Sequence, residues 1–385
     1  YPVKGCELLN RMVLAGQRNR RYAVQQRAAT SRLAEEAKLC YDSLDVITKG
    51  YNSLLDGKWN HMMTMKQGFA TAYFKLPQLR DASLAEKALL GIAAEEEDLL
   101  KGGHSFHALP TFNTYLRQSY YLDVYNKGKT PLKWKITPSD EWILVDKMSG
   151  TTSTEERLNV SIDWKKVPSG ERVLGVLEVS SDSGDKEQVY VSVFNPSSPS
   201  LAEMDTLFVE NSGYVSIDAA RFHRKTENKD IQMRIIPNLG CENAAVQLGD
   251  PTAPMQRTAG RNTPRLEYDF YTFEQGSVDV YTYVLPTFVV STDRGYAGHE
   301  STNVETKYGV CIDEGPVMNP STSSFEYESV LKNCRINKTT LHIDKPGKHT
   351  VKIICGDAGT VIQKIVLDFG GLKRSYMGPR PTRNN

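Results

Sequence analysis

The densest run of chemically capable side chains is Asp56-Gly57-Lys58-Trp59-Asn60-His61-Met62-Met63. An indole such as Trp59 stacks on a sugar ring, while Lys58, Asn60 and His61 offer hydrogen bonds to hydroxyls or to a carboxylate. The competing reading is a helix–helix corner, in which Trp59 and the methionines fill a core and Asn60 caps. Four successive carboxylates, Glu95, Glu96, Glu97 and Asp98, raise glycoside hydrolysis. That reaction needs two acids about 5–5.5 or 6.5–9.5 Å apart on either side of one bond. Consecutive side chains point in different directions in any secondary structure, so the run reads as a solvated edge and no residue is assigned a catalytic role. Tyr271, Tyr281, Tyr283 and Tyr296 form a candidate carbohydrate platform, against the alternative that strand tyrosines pack within or between sheets. Glu210, Asp218, Asp357 and Asp368 are candidate ligands for a structural calcium ion, Glu210, Asp218 and Asp368 foremost; ordinary surface carboxylates explain them equally well.

Composition narrows the classes these groups serve. The chain has 385 residues and a formal charge of +1, from 47 basic and 46 acidic side chains. So even a balance gives no long-range field to hold nucleic acid or an anionic membrane, and neither is an expected partner. The basic run Arg18, Arg20, Arg21, Arg27 reads as the solvated face of a helix. No apolar run reaches the 18 residues a spanning helix needs. Six scattered cysteines (Cys6, Cys40, Cys241, Cys311, Cys334, Cys355) show no zinc-ligand spacing and are expected as free, buried thiols, their pairing being open. No phosphate-cradling or dinucleotide glycine motif occurs, so no cofactor is expected apart from the possible calcium. The opening Tyr1-Pro2-Val3-Lys4 carries neither an initiator Met nor a signal-peptide h-region and reads as the interior of a longer product.

The elements that position these residues change character along the chain. Leu33, Ala37, Cys40, Leu44, Ile47, Tyr51 and Leu55 recur at steps of three and four, the stripe of one amphipathic helix that Asp56-Gly57 would end. A helix around Leu8 to Gln26 and an apolar segment from Trp59 to Phe74 would pack against it. Ser83-Leu84-Ala85-Glu86 is a formal capping box that extends helix through Glu97. From Leu109 the pattern is β: Tyr120 to Val124, Trp134-Ile136, Leu158 to Ile162, Val173 to Val179 and Val189 to Val193, the runs of an immunoglobulin-like sandwich. Asn195 to Ser200, rich in Pro and Ser, is the clearest linker. Beyond it, Arg265 to Phe273 and Val278 to Leu285 are expected as a hairpin joined at Glu274 to Ser277, with Leu266, Tyr268, Phe270, Val278, Val280 and Val284 on one apolar face. Leu341-Ile343, His349 to Ile353 and Val361 to Leu367 complete a jelly-roll-like sandwich.

Several stretches together resemble glycoside hydrolase family 115. Tyr1 to Gly5 and Asp56 to Met63 are similar to its helical region. Phe208 to Ile217, Pro264 to Phe270, Leu285-Pro286-Thr287, Pro346 to Thr350, Gln363 to Val366 and Ser375 to Pro379 are similar to its C-terminal domain. The resemblance implies an inverting α-glucuronidase acting on glucuronoxylan, with its catalytic machinery in an N-terminal domain and a TIM barrel that precede the matched region. No catalytic residue carries over. It also implies that Leu90 to Glu96 starts the first sandwich as a strand, against the capping-box reading. The expected organisation is therefore a multidomain α plus all-β chain: residues 1–85 a helical bundle segment, 86–200 an immunoglobulin-like β-sandwich, 201–385 a jelly-roll-like β-sandwich. The expected role is accessory and non-catalytic: bracing the catalytic domains or supporting a homodimer on a xylan-type polysaccharide, in the periplasm or outside the cell. A stand-alone carbohydrate-binding protein is the alternative.

Overall fold

The computed structural model describes residues 1–63, 75–97, 106–260, 262–287, 307–321, 327–373 and 375–383. They form two compact units: residues 1–112 with 118–195, and residues 113–117 with 196–385.

The first unit opens with a helical hairpin, α1 (Pro2–Val24) and α2 (Thr30–Asn52). Proline at the first position of α1 costs nothing, because that N–H has no helical partner. Leu8, Met12, Ala15, Asn19 and Tyr22 line its buried face, and Leu33, Ala37, Cys40 and Leu44 that of α2. The predicted stripe runs one turn too far. α2 stops at Asn52, whose side chain donates to Met63 O (2.8 Å) and accepts from Met63 N (3.1 Å). A short turn, α3 (Leu54–Gly57), follows with Leu55 and Asp56 at positive φ, which leaves Leu55 exposed. Of the apolar segment from Trp59 to Phe74, residues 64–74 lie outside the described residues.

The capping box at Ser83 does not start a helix. Leu90–Ala94 is strand β1, as the resemblance implies. It is followed by β2 (His107–Ala108), β3 (Phe112–Asn113), β4 (Tyr120–Asn126), β5 (Leu132–Pro138), β6 (Ile143–Val145), β7 (Ser149–Thr152), β8 (Glu155–Ile162), β9 (Gly170–Ser181) and β10 (Lys186–Asn195). One sheet runs β1-β4-β8-β6; the other runs β2-β10-β9-β5-β7 with β3 beside β10. The alternating side chains Leu122, Val124, Leu158, Val160, Leu177, Val179, Val189, Val191 and Val193 close one core between them.

A buried charge fastens the hairpin to this sandwich. Arg27, 2% exposed, donates to Asp123 (3.2 Å) and Glu155 (2.9 Å), its guanidinium 4.2 Å from the rings of both Tyr22 and Tyr125. The basic run read as a solvated face therefore ends in an interior ion pair at Arg27.

The second unit holds α4 (Leu201–Met204), β11 (Phe208–Val209), β12 (Tyr214–Asp218), β13 (Arg224–Thr226), β14 (Met233–Pro237), β15 (Ala244–Leu248), β16 (Arg265–Thr272), β17 (Gly276–Val284), β18 (Gly309–Ile312), α5 (Tyr327–Leu331), β19 (Arg335–Ile343), β20 (Gly347–Ile354) and β21 (Thr360–Asp368). One sheet runs β11-β16-β20-β18, with β13 on β16; the other runs β14-β15-β21-β17-β19, with β12 on β21. β16 and β17 are thus not a hairpin. They belong to opposite sheets, and residues 273–275 arch across the core. Leu266, Tyr268 and Phe270 are buried against the same cluster as Val278, Val280 and Val284, by meeting face to face rather than by sharing a face. Alternation reports which side of a strand is buried and is silent on which sheet holds the strand. The architecture as a whole is mostly β, with few helices and several facing sheets.

Candidate functional site

Lys58 to His61 form an exposed turn rather than a packed corner. Lys58 Nζ sits 5.3 Å from the centre of the Trp59 ring, and Asn60 Oδ1 accepts the His61 N–H at 3.1 Å. Trp59 is half-buried, while Met62 is exposed. The helix has already stopped at Asn52, and the turn with Leu55, Asp56 and Gly57 at positive φ carries these residues to the surface.

The acidic run terminates a strand. Glu95 Oε2 accepts from Tyr121 N (2.9 Å), and Glu97 Oε2 accepts from Ala94 N (3.0 Å) while its other oxygen meets His107 Nδ1 (2.9 Å). Asp98 lies outside the described residues.

The tyrosines do not share a surface. Tyr271 lies on β16 and Tyr281 and Tyr283 on β17, in opposite sheets, so the arch that abolishes the hairpin also abolishes a common platform. Tyr283 is buried beside Gly378 of the C-terminal segment; Tyr271 and Tyr281 are half-buried. Tyr296 falls outside the described residues.

Nor do the carboxylates proposed for calcium converge. Glu210 Oε2 accepts from Thr272 Oγ1 (2.8 Å), Phe273 N (2.8 Å) and Glu274 N (3.2 Å), holding the arch between β16 and β17. Burial raises its pKa, opposed by these hydrogen bonds. Asp218 and Asp368 lie on paired strands, but Asp218 stands opposite Lys364 and Asp368 opposite Tyr214. Four residues of strand, about 13 Å, separate them. Asp218 accepts from Ala220 N (3.0 Å), with its pKa raised by burial; Asp368 accepts from Gly370 N (2.8 Å) and Leu372 N (3.1 Å). Asp357 accepts from Lys307 N at 2.6 Å. Among the described residues, no group of three His, Cys, Asp or Glu side chains is arranged to hold a metal ion.

Sequence reasoning missed a cleft of about 220 Å³ in the second unit, walled by the turn after β14 (Gly240, Cys241), the approach to β19 (Lys332, Cys334), Gln363 of β21 and Tyr376. Its base is built around β21, where Gln363 and Lys364 are both buried. Gln363 Nε2 donates to Asn333 O (2.8 Å), which aims Oε1 at the Cys241 thiol (3.4 Å). Gly240, at φ +93°, passes so close that an added Cβ would stand 3.1 Å from Gln363. Lys364 Nζ donates to Pro379 O (2.6 Å) and Met377 O (3.1 Å) and pairs with Glu242. The family-like stretches Gln363 to Val366 and Ser375 to Pro379 therefore meet at one place. A buried lysine inside an apolar strand was the available signal, since such a charge must have partners.

The family model described as the Glycosyl hydrolase family 115 C-terminal domain matches residues 207–381. No curated protein sequence matches the chain. Among solved structures, the chain is similar to a family GH115 4-O-methyl-α-glucuronidase with specificity for decorated arabinogalactans, at 16% identity and a TM-score of 0.43, over 95% of this chain and 28% of that one. It is also similar to the GH26-CBM35 β-(1,4)-mannanase of Podospora anserina, at 12% identity and a TM-score of 0.25, over 44% of this chain and 29% of that one. A family 35 carbohydrate binding module from Clostridium thermocellum follows at 13% identity and a TM-score of 0.28, over 40% of this chain and 97% of the module. None of these three likenesses is close enough to carry a functional argument, and the chain spans only a fraction of the length of the glucuronidase. The match over residues 207–381 assigns that stretch directly: the chain carries a glycosyl hydrolase family 115 C-terminal domain.

Proposed function

We propose that this chain is the accessory, non-catalytic C-terminal part of a family 115 α-glucuronidase that acts on glucuronoxylan-like polysaccharide. The observation that carries the reading is the family 115 C-terminal domain over residues 207–381. The chemistry of the carboxylates supports it. Glu95, Glu97, Glu210, Asp218 and Asp368 each accept a backbone N–H and hold a turn or strand end, which is a structural use of the carboxylate. On this reading the first sandwich is immunoglobulin-like and the second jelly-roll-like, catalysis lies in preceding domains, and the chain braces them or supports a homodimer in the periplasm or outside the cell. The test is release of glucuronic acid from glucuronoxylan. The purified chain should release none, and the same chain produced together with its upstream coding region should release it. Release by the chain alone, or an upstream region that encodes no barrel, overturns the reading.

A second reading, a stand-alone carbohydrate-binding protein using the C-terminal sandwich, draws on the half-buried Tyr271 and Tyr281, each on its own sheet face. Affinity electrophoresis through glucuronoxylan decides it: retardation that Tyr281→Ala or Tyr271→Ala abolishes supports it, and unretarded migration removes it.

A further inference from the structure

Cys241 and Cys334 come from segments more than ninety residues apart in sequence, yet they share the cleft beside β21. Cys241 lies in the turn between β14 and β15, and Cys334 just precedes β19. One side chain, Gln363, reaches the segments of both, Cys241 itself and Asn333 next to Cys334. Both are partly accessible, unlike Cys40, Cys311 and Cys355, which are buried. The surroundings orient the pair. Gln363, 2% exposed, is fixed by its bond to Asn333 O and presents Oε1 to Cys241 Sγ. Lys364 favours a thiolate at Cys241, and its ion-pair partner Glu242 opposes it.

We propose that Cys241 and Cys334 form a thiol–disulfide exchange site that takes a low-molecular-weight disulfide and closes to an intramolecular disulfide. The Cys241 thiolate attacks one sulfur of the incoming disulfide, forming a mixed disulfide and expelling one thiolate. Cys334 then loses its proton to that thiolate and attacks the Cys241 sulfur, expelling the second thiolate, which takes up the proton Cys241 first gave to solvent. Two cysteine thiols are oxidised by two electrons, and one small disulfide is reduced to two small thiols. The roles follow from the site. The nearby Cys334 side chain, before any other cause, lowers the Cys241 pKa, with Lys364 adding to it and burial and Glu242 opposing. The same proximity raises that of Cys334, with burial adding to it. The more thiolate-like partner attacks and the other resolves. The product ties the β14–β15 turn to the start of β19 beside β21, two segments otherwise linked there through Gln363, which accepts from Cys241 Sγ and donates to Asn333 O.

The experiment uses the whole reduced chain, incubated with oxidised glutathione without denaturant, followed by thiol titration and peptide mapping. The expected result is loss of the Cys241 and Cys334 thiols together, with a peptide that joins them. Cys334→Ser should stop with glutathione held on Cys241, and Cys6→Ser should leave the joined peptide unchanged. A wild-type chain in which glutathione stays on Cys241 while Cys334 remains free overturns the proposal. So does one in which exposed Cys6 reacts and neither Cys241 nor Cys334 does.

Discussion

A charge leaves water only where its partners replace the hydration it loses, and two residues of this chain show what that demands. Arg27 stands between two tyrosine rings with Asp123 and Glu155 on its guanidinium. Replacement by Met keeps the stem's packing but takes the buried cation from both acids, leaving Asp123 with Arg157 and Glu155 with the Tyr22 hydroxyl and the exposed Arg32 at 3.9 Å. Arg27→Met should destabilise the first unit by about 3 kcal/mol, read by urea denaturation. Asp269, buried on β16, makes a different case, because its main partner Arg224 reaches it from the exposed side. It accepts from Arg224 through both oxygens (2.6 and 2.8 Å) and from Thr350 (2.8 Å). The Arg224 guanidinium, before any other cause, depresses its pKa well below the carboxylate range. A depressed folded pKa contributes stability that is complete above the unfolded value of about 4 and drains away as pH falls through the folded one. Asp269→Asn should therefore be less stable than wild type at pH 7, and the two should converge as pH is lowered from about 5 toward 2. A gap that stays constant over that range would contradict this account.

Segments also stabilise one another through backbone groups, and the C-terminal strap shows how. Every residue from Thr360 to Leu367 in β21 is buried, because the core covers one face and residues 375–383 contribute cover to the other. Ser216 N and O bond Thr382 (3.0 and 2.9 Å), Ser216 Oγ donates to Pro379 O (3.0 Å), and Val209 N donates to Thr382 O (2.7 Å). A chain ending at Leu372 uncovers Lys364 and breaks these bonds. It should melt several degrees lower, and Lys364→Met in the intact chain should reproduce part of the loss by leaving Glu242, Met377 O and Pro379 O without their donor; scanning calorimetry of both variants checks this. Much of this scale was legible in the sequence. The burial of Leu266, Tyr268, Phe270, Val278, Val280 and Val284 follows from their period of two. What alternation cannot encode is that Phe273 and Glu274 give their N–H groups to Glu210, which follows β11 more than sixty residues earlier, and so form an arch. The carboxylates misled for the same reason. Glu210, Asp218 and Asp368 look like ligands in a sequence because an acid that holds a turn and an acid that holds an ion are the same residue type, and only the direction of nearby N–H groups separates them. The thiol cleft was illegible because Cys241 and Cys334 have no local spacing to reveal them.

At the scale of the molecule, the two largest apolar cores among the described residues have no residue in common: one is centred on Leu122, Val160, Val179 and Val191, the other on Tyr268, Phe270, Val280 and Ile365, while smaller clusters (Leu8 with Met12, Cys40 and Leu44; Tyr22 with Ala29 and Leu33) sit in the helical hairpin. The division of the chain into two compact units follows these cores, and it falls at the Pro- and Ser-rich stretch after Asn195. Cooperative unfolding follows a shared core, so each unit is expected to melt as its own transition. The helical hairpin should melt with the first sandwich, because Arg27, Tyr22 and the Ala28 N–H bond to Asn126 O (2.8 Å) join them. The two substitutions at buried cations separate the transitions. Arg27→Met should lower one transition and leave the other in place, and Lys364→Met should do the reverse. Helix content followed at 222 nm should vanish with the transition that Arg27→Met moves. A single transition displaced by both substitutions would mean that the chain unfolds as one body, and loss of helix ahead of either transition would mean that the Arg27 cluster does not hold the hairpin.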